Sequence, residues 1–107
     1  MDTERAVCES FQQAAQLVGK RLVPQIAWVL LGGPRRYSVL RAAIPEISDT
    51  VLSERLRELE AAGILTRAVT PSTPVLIEYA LTERGRELAK VIDGLAQWAD
   101  RWAVVGA

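Results

Sequence analysis

The chain has 107 residues, three tryptophans, one cysteine and no histidine or asparagine, and its 13 basic and 13 acidic side chains cancel to zero net charge. That length suits one hydrophobic core and a single domain over residues 1–107, and 50% hydrophobic with 24% charged residues is the balance of a folded chain. Without histidine there is no Ser/His/Asp or Cys/His catalytic group, and one cysteine makes neither an internal disulfide nor a sulfur-rich zinc site, so no enzyme, cofactor or metal is expected.

The longest apolar run, Ile26 to Leu31, is far below the ~20 residues a bilayer requires. The opening Met-Asp-Thr-Glu-Arg lacks the charge-then-apolar pattern of a signal peptide, so a cytoplasmic protein with no membrane partner is expected.

Taken in chain order, Phe11, Ala14, Ala15, Leu17 and Val18 recur at helical spacing and stop at Gly19, which predicts a first helix. A second, short helix buries Ile26, Ala27, Leu30 and Leu31, tolerates Pro24 only in its first turn, and ends at Gly32-Gly33-Pro34. Arg35 to Ser38 reads as a brief extended piece, with Ser38 capping a third helix that carries Val39, Leu40, Ala43 and Ile44 up to Pro45. After a tight turn Ser48 caps a fourth helix, Asp49 to Ala62, and two helices joined by so few residues predict a helix-turn-helix.

At about 100° per residue, Ile47, Val51, Leu52, Leu56 and Leu59 gather on one side of that fourth helix, while Thr50, Ser53, Glu54 and Arg57 fall opposite. Arg55 lies near the apolar flank, where an internal salt bridge is expected. Gly63 ends the helix, and the β-prone runs Ile64 to Thr70 and Val75 to Leu81, parted by Pro71-Ser72-Thr73-Pro74, predict a hairpin.

Thr82 then caps a long last helix in which Leu88, Val91, Leu95, Trp98 and Trp102 are spaced 3, 4, 3 and 4, the spacing of a seam between two helices. Gly85 and Gly94 each cost that helix about 1 kcal/mol against alanine, so packing must hold it.

The zero net charge hides an asymmetry. Between Ser10 and Pro45 stand five basic residues (Lys20, Arg21, Arg35, Arg36, Arg41) and no acid, whereas from Glu46 to Asp100 ten acids face six bases. A basic block of this kind suits a polyanion.

The words Gly19-Lys20, Gly33-Pro34-Arg35-Arg36-Tyr37-Ser38-Val39-Leu40-Arg41, Ile47-Ser48, Leu52-Ser53-Glu54-Arg55-Leu56-Arg57-Glu58-Leu59-Glu60, Glu78-Tyr79-Ala80-Leu81-Thr82 and Trp98 follow in this order. Together they make the chain, from Cys8 to Trp102, resemble the HxlR-type winged helix-turn-helix transcriptional regulators, small bacterial DNA-binding proteins that act as homodimers. It departs from the family pattern at Arg21 and Glu9, where Trp and Pro are usual.

The resemblance implies a mainly α fold with a small β-hairpin wing, dimerised through the terminal helices. The implied function is a sequence-specific double-stranded DNA-binding regulator, a repressor, acting as a homodimer and responsive to redox chemistry or a small-molecule effector. The fourth helix would enter the major groove with Thr50, Ser53 and Arg57 toward base edges. Adenine readout there is not expected, since no asparagine or glutamine lies between Gln25 and Gln97.

Lys20, Arg35, Arg36, Tyr37, Ser38, Arg41 and Ser48 would contact phosphates, joined by Arg67, Ser72 and Thr73 of the wing, while Asp49 and Glu54 beside the reading face repel them. Phe11, Leu88, Val91, Leu95, Trp98 and Trp102 would form the dimer interface. Cys8 occupies the place of an N-terminal redox sensor, and an effector would sit around Trp28 and Trp98. The alternative is a winged-helix module that binds protein through the same faces, against which the acid-free block stands.

Overall fold

The computed structural model describes residues 6–102. Its elements run α1 (Glu9–Val18), α2 (Val23–Leu31), β1 (Arg35–Arg36), α3 (Tyr37–Ala43), α4 (Asp49–Ala61), β2 (Leu65–Thr70), β3 (Leu76–Leu81) and α5 (Glu83–Trp102). The fold is mainly helical with one small antiparallel sheet, strand order β1-β3-β2, in which Arg35 pairs with Tyr79 and Leu65 with Leu81.

The central pillar is α2. Its Val23, Ile26, Ala27 and Leu30 are all buried, and it packs on α5 and β3. α4 adds Leu52, Leu56 and Leu59 from one stripe, at the i, i+4, i+7 spacing that its sequence predicts. α1 differs: it has no buried residue and touches its own subunit mainly through α2. Among the described residues no helix is long and apolar enough to cross a membrane.

Three sequence expectations need correction. Ser38 does not cap α3, because Arg36 is held extended by pairing with Glu78 and the chain turns helical directly after it; Ser38 lies in the first turn. Leu88 is half-buried against the subunit's own core, because α5 leans on that core through Gly85, Ala89 and Ile92. The strands begin at Leu65 and Leu76, one residue later than the β-prone runs, since Ile64 still completes the exit of α4 by donating its N–H to the Leu59 carbonyl.

That exit is stitched to the start of α5. Gly63 takes the left-handed conformation (φ 76°) that a side chain disfavours. The Thr82 hydroxyl donates to the Gly63 carbonyl at 2.6 Å and accepts from the Gly85 N–H at 3.0 Å, capping α5 while tying it to the α4 turn. Only glycine fits at position 85, in the first turn of α5, because a Cβ there would collide with the Ile64 carbonyl oxygen, a backbone group that cannot step aside. Substituting Gly85→Ala is therefore expected to destabilise the fold by about 2 kcal/mol or more despite alanine's better helix propensity, as overpacking does; urea unfolding checks this.

Candidate nucleic-acid interface

α4 is presented by a polar lock at its N-terminus. Ser48 caps it by accepting the Val51 N–H at 3.2 Å. Asp49, the first helical residue, accepts from the Tyr37 hydroxyl at 2.9 Å and from Arg41 Nε at 2.8 Å, both on α3. Those bonds, the tyrosine's first and then the arginine's, hold the Asp49 carboxyl below the usual carboxylate range. The two helices of the helix-turn-helix are thus joined by three side chains as well as by their apolar contacts.

The far flank of α4 is fixed differently. Arg55 Nε donates to the Arg21 carbonyl at 3.0 Å and its Nη1 meets Glu58 at 3.2 Å, the internal pairing that the helical layout predicts. Lys20 also reaches Glu58 at 3.2 Å. Lys20, and after it Arg55, hold the Glu58 carboxyl below its ordinary value.

Between these flanks Thr50, Glu54, Arg57 and Ala61 form an exposed strip that no other element of the subunit covers, with Ser53 half-buried beside it. Of the expected base-reading residues, Thr50 and Arg57 stand on this strip and Ser53 turns toward the hairpin.

The expected phosphate contacts divide. Arg36 and Arg67 are exposed, and their side chains make no hydrogen bond or salt bridge with the described residues. Lys20 and Arg41 are exposed enough to meet solvent but each is paired with a carboxylate. Tyr37 is not a free donor, since its hydroxyl is spent on Asp49. Asp49, expected to repel phosphate, is instead neutralised by Arg41.

Arg35 folds back beside Gly32 and donates to the Pro34 carbonyl at 2.9 Å. In the wing, the Ser72 hydroxyl closes the turn onto the Pro74 carbonyl at 2.6 Å, leaving Thr73 exposed at the tip.

The expected interface residues Phe11, Val91, Leu95, Trp98 and Trp102 are all exposed, Val91 at 70% and Trp102 at 64%, more apolar surface than scattered singles on a monomer. Trp28 donates from Nε1 to Asp93 at 3.1 Å and lines an apolar groove of about 530 Å³ between α2, the end of α3 and α5, with Leu22, Ile44, Ile92 and Leu95. Trp98 does not share it; it lies with Gly94, Gln97 and Arg101 on another side of α5.

Cys8 is exposed at the N-terminal cap of α1. Its Sγ is 3.3 Å from the Ser10 hydroxyl, which, with the Phe11 N–H, lowers the thiol below its ordinary value.

Sequence reasoning did not single out Tyr79 or Glu60, which line a cleft with Ser53, Leu56, Arg57 and Arg67. Tyr79 is brought there by the strand register that sets it opposite Arg67, which no local sequence signal specifies.

Residues 17–106 match the model of the HxlR-like helix-turn-helix family. Over 90% of its length the chain is 45% identical to the HTH-type transcriptional regulator YvaP of Bacillus subtilis (strain 168), covering 89% of that protein. It is 41% identical over 94% of its length to the HTH-type transcriptional regulator YodB of the same organism, again covering 89%. The reduced form of YodB superposes with a TM-score of 0.80 at 40% identity, over 95% of this chain and 100% of that one. The reduced form of the redox regulator HypR does so with a TM-score of 0.83 at 29% identity, over 91% and 96%. YodB has also been solved diamide-treated and quinone-bound.

The lock at Asp49 has a pH signature. A carboxyl held low in the folded chain contributes stability that is complete above its ordinary value of about 3.8 and is lost as pH falls through the depressed value. Asp49→Asn is expected to lower the melting temperature at pH 7 and to flatten the loss of stability on acidification below about pH 4, both read by thermal melts across pH.

Proposed function

This chain belongs to the HxlR-like helix-turn-helix family of transcriptional regulators, and we propose that it represses transcription by binding double-stranded DNA sequence-specifically as a cytoplasmic homodimer. The observation that carries the DNA reading is the uncovered strip of α4, presented outward by the lock at Asp49 and flanked by unpaired arginines. In this reading α4 lies in the major groove, Thr50 faces base edges, and Ser53 and Arg57 stand at the rim toward the wing. Ser38, Ser48, Lys20, Arg36 and Thr73 then face backbone phosphate, and Arg41 shares its guanidinium between Asp49 and the DNA.

Support for the dimer comes from the terminal helices. α1 has no fully buried residue and packs on its own core only through Leu17, and the exposed Phe11, Val91, Leu95, Trp98 and Trp102 supply an apolar face of the kind homodimers bury. Two copies related by a twofold axis would set α4 into half-sites about 34–36 Å apart, and a compact dimer over a promoter blocks polymerase without any further surface.

Phosphate contact predicts that affinity for a bound duplex falls about 10³- to 10⁵-fold between 50 and 200 mM salt if six to ten contacts form. Salt-independent association with a protein instead would favour the interaction-module reading. Replacing both Trp98 and Trp102 by alanine is expected to give a folded monomer, by sedimentation, that has lost specific binding; an unaltered dimer would overturn the assignment of this face.

The relatives named for redox chemistry, together with the lowered thiol at Cys8, support a sensing role for that cysteine. An exposed thiolate at this place would be oxidised or alkylated ahead of an ordinary thiol, and the apolar groove beside Trp28 would take a small apolar effector. Cys8→Ser is expected to bind DNA as the parent does and to lose release by diamide or a quinone, measured by anisotropy; release equal to the parent's would remove the cysteine from the mechanism.

A further inference from the structure

A cleft lies between α4 and the hairpin. It encloses about 380 Å³ and is lined by Ser53, Leu56, Arg57, Glu60, Arg67 and Tyr79. Tyr79 is only 9% exposed and its hydroxyl makes no hydrogen bond with any described residue; since no buried side-chain oxygen among them is left unpaired, that hydroxyl opens to solvent in the cleft. Arg67 is its direct partner across the strands, so both side chains leave the sheet on one face.

Arg57 comes from the facing helix, one turn after Ser53, so i and i+4 lie one above the other toward the hairpin. Among the described residues neither Arg57 nor Arg67 has a carboxylate within 4.0 Å, Glu60 included, so no described acid compensates either guanidinium group.

We propose that this cleft clamps one phosphodiester of the DNA backbone, the segment of strand that must pass between a helix in the major groove and the wing beside it. Arg57 and Arg67 grip the phosphate from its two sides, and the Tyr79 and Ser53 hydroxyls donate from the floor and the helix wall. A guanidinium fork matches a phosphate's oxygens, and charge-assisted bonds to it are the strong ones. Arg57 accordingly positions α4 and does not read a base. Glu60, at the same wall, opposes the anion and sets how tightly it is held.

This inference rests on the DNA reading above and deepens it. The test uses the full chain and fluorescence anisotropy on a panel of duplexes differing at single base pairs, across a salt series. Arg57→Gln and Arg67→Gln are each expected to weaken binding about tenfold on every duplex and to reduce the salt slope by about 1. The double variant is expected to lose less than the product of the two, because both hold one phosphate. Tyr79→Phe is expected to weaken all duplexes alike with urea unfolding unchanged, and Glu60→Gln to tighten all of them.

A neutral methylphosphonate placed at the clamped position should reproduce the arginine losses in the unaltered protein and add nothing to the variants. If Arg57→Gln relaxes preference at one base pair and leaves the salt slope alone, Arg57 reads a base and the clamp is wrong. Fully multiplicative losses would place the two arginines on different phosphates and also overturn it. Binding of no duplex by the unaltered protein would overturn the DNA reading itself.

Discussion

The Asp49 carboxylate is the point on which the exposed strip of α4 depends. A helix-turn-helix has two short helices, and α3 buries only Leu40 fully, so apolar packing alone fixes its angle to α4 weakly. Tyr37 and Arg41 supply the missing constraint by converging on the first residue of α4, next to the Ser48 cap. An acid at that place gains twice: it sits favourably near a helix N-terminus, and it neutralises an arginine that would otherwise repel its basic neighbours. Tyr37, Arg41 and Ser48, which look like DNA contacts in the sequence, are in large part the frame that aims the helix.

A similar economy governs α5. Its first turn is tied to the exit of α4 by Thr82 and pressed against the Ile64 carbonyl through Gly85, so the long helix leaves the domain at a fixed angle. Beyond Ile92 the apolar Leu95, Trp98 and Trp102 stay exposed, and α1, an amphipathic helix that packs Leu17 on the core, leaves Phe11 in the same condition. Unsatisfied apolar surface on two terminal helices and unsatisfied positive charge on α4 and the hairpin sit on different parts of the fold. The proposed dimer would consume the first and leave the second free for a polyanion.

The pairing of charges also explains how a chain of zero net charge keeps such a surface. Glu58 and Asp49 are spent on Lys20, Arg55 and Arg41, which fix the two flanks of α4. Arg36, Arg57 and Arg67 find no such partner among the described residues, and these guanidinium groups are what give the proposed interface its sign.

Periodicity, capping residues and turn chemistry carried the element order from α1 to α5 within a residue or so at most boundaries, because each depends on neighbours three or four positions away. The buried stripe of α4, the cap at Ser48 and the internal pairing of Arg55 were legible for the same reason. What tertiary structure decided were matters of long-range contact. Leu88 and Val91 share one heptad pattern, yet packing of α5 on the core takes the first and leaves the second in solvent.

Hairpin register is the clearest case. Strands parted only by Pro71 to Pro74 would put Arg67 opposite Glu78, whereas the observed loop takes in Val75 and puts Arg67 opposite Tyr79. One residue of slip reverses every face of a strand. The cleft against α4 exists only in the register that the folded sheet selected, and no local pattern in the chain could specify it.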